Sequence, residues 1–308
     1  MVLAETTKDT TVLKPKIGTL DLRQSPQYGQ WMNLLGWEII RMGKTSVFLK
    51  RLPFVGSIIK IQRSHQIPDF PIVKRIADRE RAVLVKIEPS MCEEEPLLLT
   101  KLRKNGYHFS RWALIATKTQ MLDLRLPQRM IFNQFKKDCR GEIRKAMTFD
   151  FAVEKNNFRD LYEVLQQSNK KKGLWTLPMK HFEMLIKSFE KRAFCIILRQ
   201  GINKEAMAGC LILIAGNRAY YFLAGSTIEG KKRHAPYLVV WEAIKEAKKR
   251  GCLSWDFEGI YDERISSTKS WKGFTHFKKS FGGFEVIFPG SFTWYRNPIL
   301  RLLSPFMG

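Results

Sequence analysis

Three clusters of residues carry types and spacings that could do chemistry. Phe274, Phe277 and Phe281 surround Lys278 at helical spacing, which can hold that ammonium at the edge of a core instead of in open solvent. Asp256, Glu258 and Asp262 follow the apolar run Cys252 to Phe257. In open sheets, ligand crevices form where strands end, so these carboxylates are general-base candidates, although a carboxylate there can equally cap the following loop. The third cluster, Gly230-Lys231-Lys232-Arg233-His234-Ala235-Pro236, opens a helix with cations. Such a run can hold a phosphate or can be a solvated turn.

Composition limits what these clusters can serve. The 308 residues include 53 Lys and Arg against 29 Asp and Glu, a formal charge of +24. That excess predicts a polyanionic partner, whether nucleic acid, an anionic membrane face or a phosphorylated substrate. Cys92, Cys139, Cys195, Cys210 and Cys252 are spread singly, so neither a disulfide framework nor a metal site is expected. The chain opens on MVLAETTKDT with no basic segment ahead of an apolar run, and no eighteen apolar residues run together uncharged. A cytoplasmic, reducing location follows.

The elements that position the clusters read as mixed α/β. In the first half the pattern predicts helices over 25–37, 71–81, 93–104 and 128–147, and strands over 47–49, 55–61, 82–87, 112–117 and 121–124. In the second half two helices come first, one built on Phe158, Leu161, Tyr162 and Leu165, the other opened by Pro178. Three strands over 194–198, 206–214 and 219–223 then form an antiparallel meander with turns at Gly201-Ile202-Asn203 and Gly216-Asn217. A helix from Pro236 to Arg250, a strand over 252–257, a helix over 270–281 and a strand over 284–288 complete the series.

This order resembles the acetyltransferase (GNAT) fold, and the first half repeats it loosely. The expectation is two GNAT-like acyltransferase domains in tandem, with mixed sheets flanked by helices and no coiled-coil arm. The first would span 15–155, completed by 291–308, and the second, catalytic one 156–290. Coenzyme A fits poorly as donor, because the loop before Pro236 lacks close-approach glycines and proline removes a donor N–H.

Ser25-Pro26-Gln27-Tyr28-Gly29-Gln30-Trp31, Ala235-Pro236-Tyr237, Trp255-Asp256-Phe257-Glu258-Gly259-Ile260 and Gly273-Phe274-Thr275-His276-Phe277-Lys278-Lys279-Ser280-Phe281-Gly282-Gly283 are together similar to the FemABX family. These peptidyltransferases build the interpeptide bridge of peptidoglycan. The resemblance implies an aminoacyl-tRNA donor, a UDP-linked or lipid-linked peptidoglycan precursor as acceptor, and neither metal nor cofactor. It assigns Lys278 to stabilising charge on the ester carbonyl oxygen and Phe277 to shaping the site, with Asp256 as a catalytic candidate. Tyr221, Tyr237, Lys231, Arg233, Lys272 and, in the first domain, Arg41 are the expected substrate-binding residues. Leu177 and His181 depart from the family pattern, which has an arginine and a tyrosine in some members.

The closing run from Ser291 to Leu303 mixes aromatics, aliphatics and arginines, so it either docks on the first domain or lies against the inner membrane face. Two competing functions remain at this level: a same-fold N-acyltransferase with another donor, and a non-catalytic tRNA-binding or membrane-binding relative.

Overall fold

The computed structural model describes residues 20–90, 95–171, 173–200, 205–297 and 299. A 3-10 turn, Leu22–Gln24, precedes α1, Pro26–Leu34, whose first turn is capped by the Ser25 hydroxyl accepting from the Tyr28 N–H. Strands β1 (Glu38–Met42), β2 (Thr45–Leu52) and β3 (Gly56–Gln62) form a meander. Helix α2 (Phe70–Arg79) crosses to β4 (Ala82–Glu88), and α3 (Glu95–Lys104) leads to the two-residue β5 (His108–Phe109). Next come β6 (Lys118–Asp123), α4 (Gln128–Asn133), α5 (Lys137–Met147) and β7 (Ala152–Lys155).

The second half begins with α6 (Phe158–Lys170) and α7 (Met179–Phe189). Strands β8 (Ala193–Gln200), β9 (Glu205–Ala215) and β10 (Arg218–Ser226) make the expected meander. Its Gly216 turn is present, whereas Gly201 to Asn203 lie outside the described residues. Helices α8 (Ile228–Lys232) and α9 (Ala235–Lys249) lead to β11 (Ser254–Asp256). A 3-10 turn, Ser266–Trp271, runs into α10 (Lys272–Ser280), followed by β12 (Phe284–Ile287) and β13 (Phe292–Tyr295).

Two mixed sheets result, ordered β1-β2-β3-β4-β13-β5 and β12-β6-β11-β10-β9-β8-β7. The expected division after residue 155 does not follow them. Strands β6 and β7, from the first half of the chain, pair into the second sheet. Strand β13, in the closing run assigned to the first domain, lies between β4 and β5 of the first sheet. Most of the closing run beyond it lies outside the described residues.

One apolar cluster sits between the first sheet and α2 and α3, around Val73, Leu98 and Leu102. Another lies between the second sheet and α5 and α9, around Trp241 and Phe281. A third joins α6 and α7 to Leu22, Trp31 and Phe48, so the two halves share a core.

Two expected elements do not form, in each case because other groups capture the backbone. Residues 112–117 are not a strand: Leu114 and Ile115 donate their N–H groups to Glu88 Oε1, at 2.5 and 3.3 Å, and the Trp112 carbonyl accepts from buried Lys86. The helix over 128–147 breaks between α4 and α5. There Lys136 N–H donates to Ser280 O at 2.8 Å, and Arg140 takes the carbonyls of Asn133 and Phe135 at 3.0 and 2.5 Å.

After α10 the chain threads back against β6 through Gly282 (φ 72°) and Gly283 (φ 78°). A Cβ on Gly283 would stand 2.0 Å from the Met121 carbonyl oxygen. Gly283→Ala therefore combines left-handed strain with a backbone clash. It is expected to lower unfolding stability by roughly 3 kcal/mol or more, read by denaturant titration.

Candidate active site

The second sheet opens a cleft because its two central parallel strands stay paired only briefly. Strand β10 meets β11 through Arg218, Ala219 and Tyr220 opposite Ser254, Trp255 and Asp256, and then runs on to Ser226 paired with β9 alone. A register shift between Tyr221 and Leu223 bends β10 away. On the other side Phe257 N–H donates to Gln120 O and the chain turns through Glu258 (φ 60°) and Gly259 (φ 110°). A cavity of about 550 Å³ fills the gap, lined by β10, the start of α9, Glu258 and one face of α10.

Lys278 stands at the base of this cleft. Only 9% of it is exposed, and its Nζ donates to the Gly259 carbonyl at 2.7 Å and lies 4.8 Å from the centre of the Phe274 ring. Burial pushes its ammonium down to about 8, against the opposing pull of Glu258 and Asp256. Phe277 packs edge to face on Tyr237 at 4.9 Å, and both line the cleft. Tyr221 lines it as well, packed against Trp255 and Phe257. Lys231, on α8, reaches the rim.

The other expected site residues lie elsewhere. Asp256 is buried behind the cleft wall, accepting from Thr119 Oγ1 at 2.6 Å and from Glu258 N–H at 2.8 Å, so it organises the turn. Burial and the neighbouring Glu258 charge hold its carboxyl above the usual range. Arg233 is engaged with Glu229 and Gln200, Lys272 lies over the Tyr261 ring, and Arg41 bonds Ser46 on the edge of the first sheet. Asp262 is held by Thr117 and Arg264.

Of the three carboxylates that follow the strand, the one that faces the cleft is Glu258. Both its oxygens take Arg23 at 2.5 Å, so the 3-10 turn before α1 is pinned to the cleft wall. Burial raises the Glu258 carboxyl, but Arg23, with Arg63 and Lys278 behind it, takes it below its ordinary value. Across the cleft His234 Nδ1 meets Glu142. That pair was not legible beforehand, since the two residues lie on different helices far apart in sequence and only folding brings them together. His234 adopts φ 57° at the start of α9; Pro236 offers no N–H and Tyr237 N–H is spent on His234 O. The helix start therefore has few donors to offer a pyrophosphate.

Two mixed sheets, one of them split by a V-shaped cleft, define a tandem GNAT-like architecture, and the solved structures agree. A tandem GNAT protein from the clavulanic acid biosynthesis pathway superposes with TM-score 0.50 at 10% identity, covering 84% of this chain and 82% of that one. The L-PGS structure from Bacillus licheniformis gives 0.59 at 11%, covering 90% of each chain. FemX gives TM-score 0.76 at 17% identity, covering 92% of this chain and 94% of that one. Residues 197–306 match the FemAB family model. No curated protein sequence matches the chain significantly.

Removing either partner of the buried Arg23–Glu258 pair leaves the other charge uncompensated. Glu258→Gln and Arg23→Met should each cost roughly 3–5 kcal/mol in denaturant unfolding, and the double variant clearly less than their sum.

Proposed function

We propose that the protein is an aminoacyltransferase that moves an amino acid from aminoacyl-tRNA to the stem peptide of a UDP-linked or lipid-linked peptidoglycan precursor. The observation that carries this reading is the buried Lys278 ammonium at the base of a cleft whose helix start suits a pyrophosphate badly. The FemAB family match and the charge of +24, which suits a tRNA backbone, add to it.

In the proposed reaction an amine nitrogen bonds to the ester carbonyl carbon and the carbonyl oxygen takes negative charge. Collapse breaks the bond to the ribose oxygen, which leaves with the proton the nitrogen gives up. A cation out of bulk water is worth most where that charge develops, which is the role proposed for Lys278. His234 is tied through Nδ1 to Glu142 and lines the cleft, and we assign it to relaying the proton. Phe277 and Tyr237 wall the space between them.

Radiolabelled amino acids supplied on tRNA should pass to one of the two precursors. Lys278→Ala should cut the rate about 10²-fold to 10³-fold in protein that still unfolds cooperatively. No transfer to either precursor by folded wild-type protein would overturn the proposal.

The working form of Lys278 in this scheme is the ammonium, roughly ten to one over the amine at pH 7 for a group titrating near 8. The single-turnover rate should consequently fall as pH rises through about 8, and Lys278→Arg, which stays charged, should lose that limb of the profile. A rate that climbs through pH 8 would make Lys278 a base instead.

A further inference from the structure

The connection between α6 and α7 presents apolar side chains to solvent from a backbone that is firmly tied. Leu174 N–H donates to Asn169 O at 3.0 Å, the Asn169 amide donates to Trp175 O at 3.3 Å, and Tyr162 Oη donates to Leu177 O at 3.0 Å. Yet Trp175 is 74% exposed and Leu174 57%. An indole held out by its own loop leaves its apolar area in water with no partner in the fold.

Charge on the segment is one-sided. From Val164 to Phe182 there is no Asp or Glu, and Lys170, Lys171 and Lys180 are exposed and in no ion pair among the described residues. Exposed Trp and Leu ringed by unpaired lysines match a surface of acyl chains below and phosphates above, where indole rings settle at the headgroup level. The loop also leaves α6 beside the cleft. A methyl on Gly225, a cleft residue, would come within 3.2 Å of Ser168 Cβ near the end of α6.

We infer that Lys170, Lys171 and residues 173–180 form a docking surface for an anionic bilayer, with Trp175 and Leu174 entering the headgroup region and Lys170, Lys171 and Lys180 pairing with lipid phosphates. Docking there holds the rim of the cleft beside the membrane surface. The inference goes beyond the proposed reaction and does not depend on it.

Flotation of the full chain with phosphatidylglycerol–phosphatidylcholine vesicles, against pure phosphatidylcholine, tests it without any transfer assay. Wild type should float with the anionic vesicles only. Trp175→Ala with Leu174→Ser should weaken partitioning roughly tenfold or more at unchanged melting temperature, since both side chains are exposed. Reversing Lys170, Lys171 and Lys180 to Glu should weaken it by at least about fivefold per lysine. The matched reversal of Lys101, Lys104 and Lys249, exposed on α3 and α9, should leave most of it. Failure of wild type to float, or equal loss in the matched reversal, would overturn the inference. So would loop variants that keep vesicle binding but lose binding to tRNA, which would make the loop a nucleic-acid surface.

Discussion

The parting of β10 from β11 after three residue pairs is the constraint on which the site rests. Strands that stayed paired would satisfy their own backbone and leave no cavity. Here the β10 bulge and the turn at Glu258 and Gly259 divert both edges, and the opened space must be lined by side chains. Lys278 then becomes structural as well as chemical: its ammonium takes the Gly259 carbonyl exposed by the turn. Burial weakens its hold on the proton, so the group that completes the turn is also one whose charge state is poised.

The first half of the molecule supports that cleft from behind. Arg23 closes on Glu258, Leu22 N–H reaches Tyr220 Oη at 3.1 Å, and Gln24 receives Ser46 N–H at 2.7 Å, so one short turn bonds to both sheets. The shared core around Trp31 and Phe48 adds apolar area to the same junction. Strand β13, crossing back from the far end of the chain, inserts between β4 and β5 of the first sheet. A change in either half is thus felt at the cleft wall.

What could be read beforehand followed local periodicity. The 3.6-residue spacing of Phe158, Leu161 and Leu165, the meander and the phenylalanines around Lys278 all lie within short windows, and the structure has them as expected. What could not be read depended on partners distant in sequence. Asp256 and Glu258 look alike as carboxylates after a strand; Thr119 draws one inward and Arg23 draws the other to the cleft. The strand expected over 112–117 gave way to Glu88 and Lys86, and the pairing of Glu142 with His234 has no local signal. The two-half order was legible, but the pairing of β6 and β7 into the second sheet was not, because short strands carry little periodicity.

The central claim is that Lys278 meets the carbonyl whose bond is broken. The most direct measurement is a crystal structure with a short CCA oligonucleotide carrying an amide-linked amino acid in place of the ester. The account predicts the amide carbonyl oxygen in the cleft, about 3 Å from Lys278 Nζ. An oligonucleotide bound with its carbonyl outside the cleft, or turned away from Lys278, would contradict it.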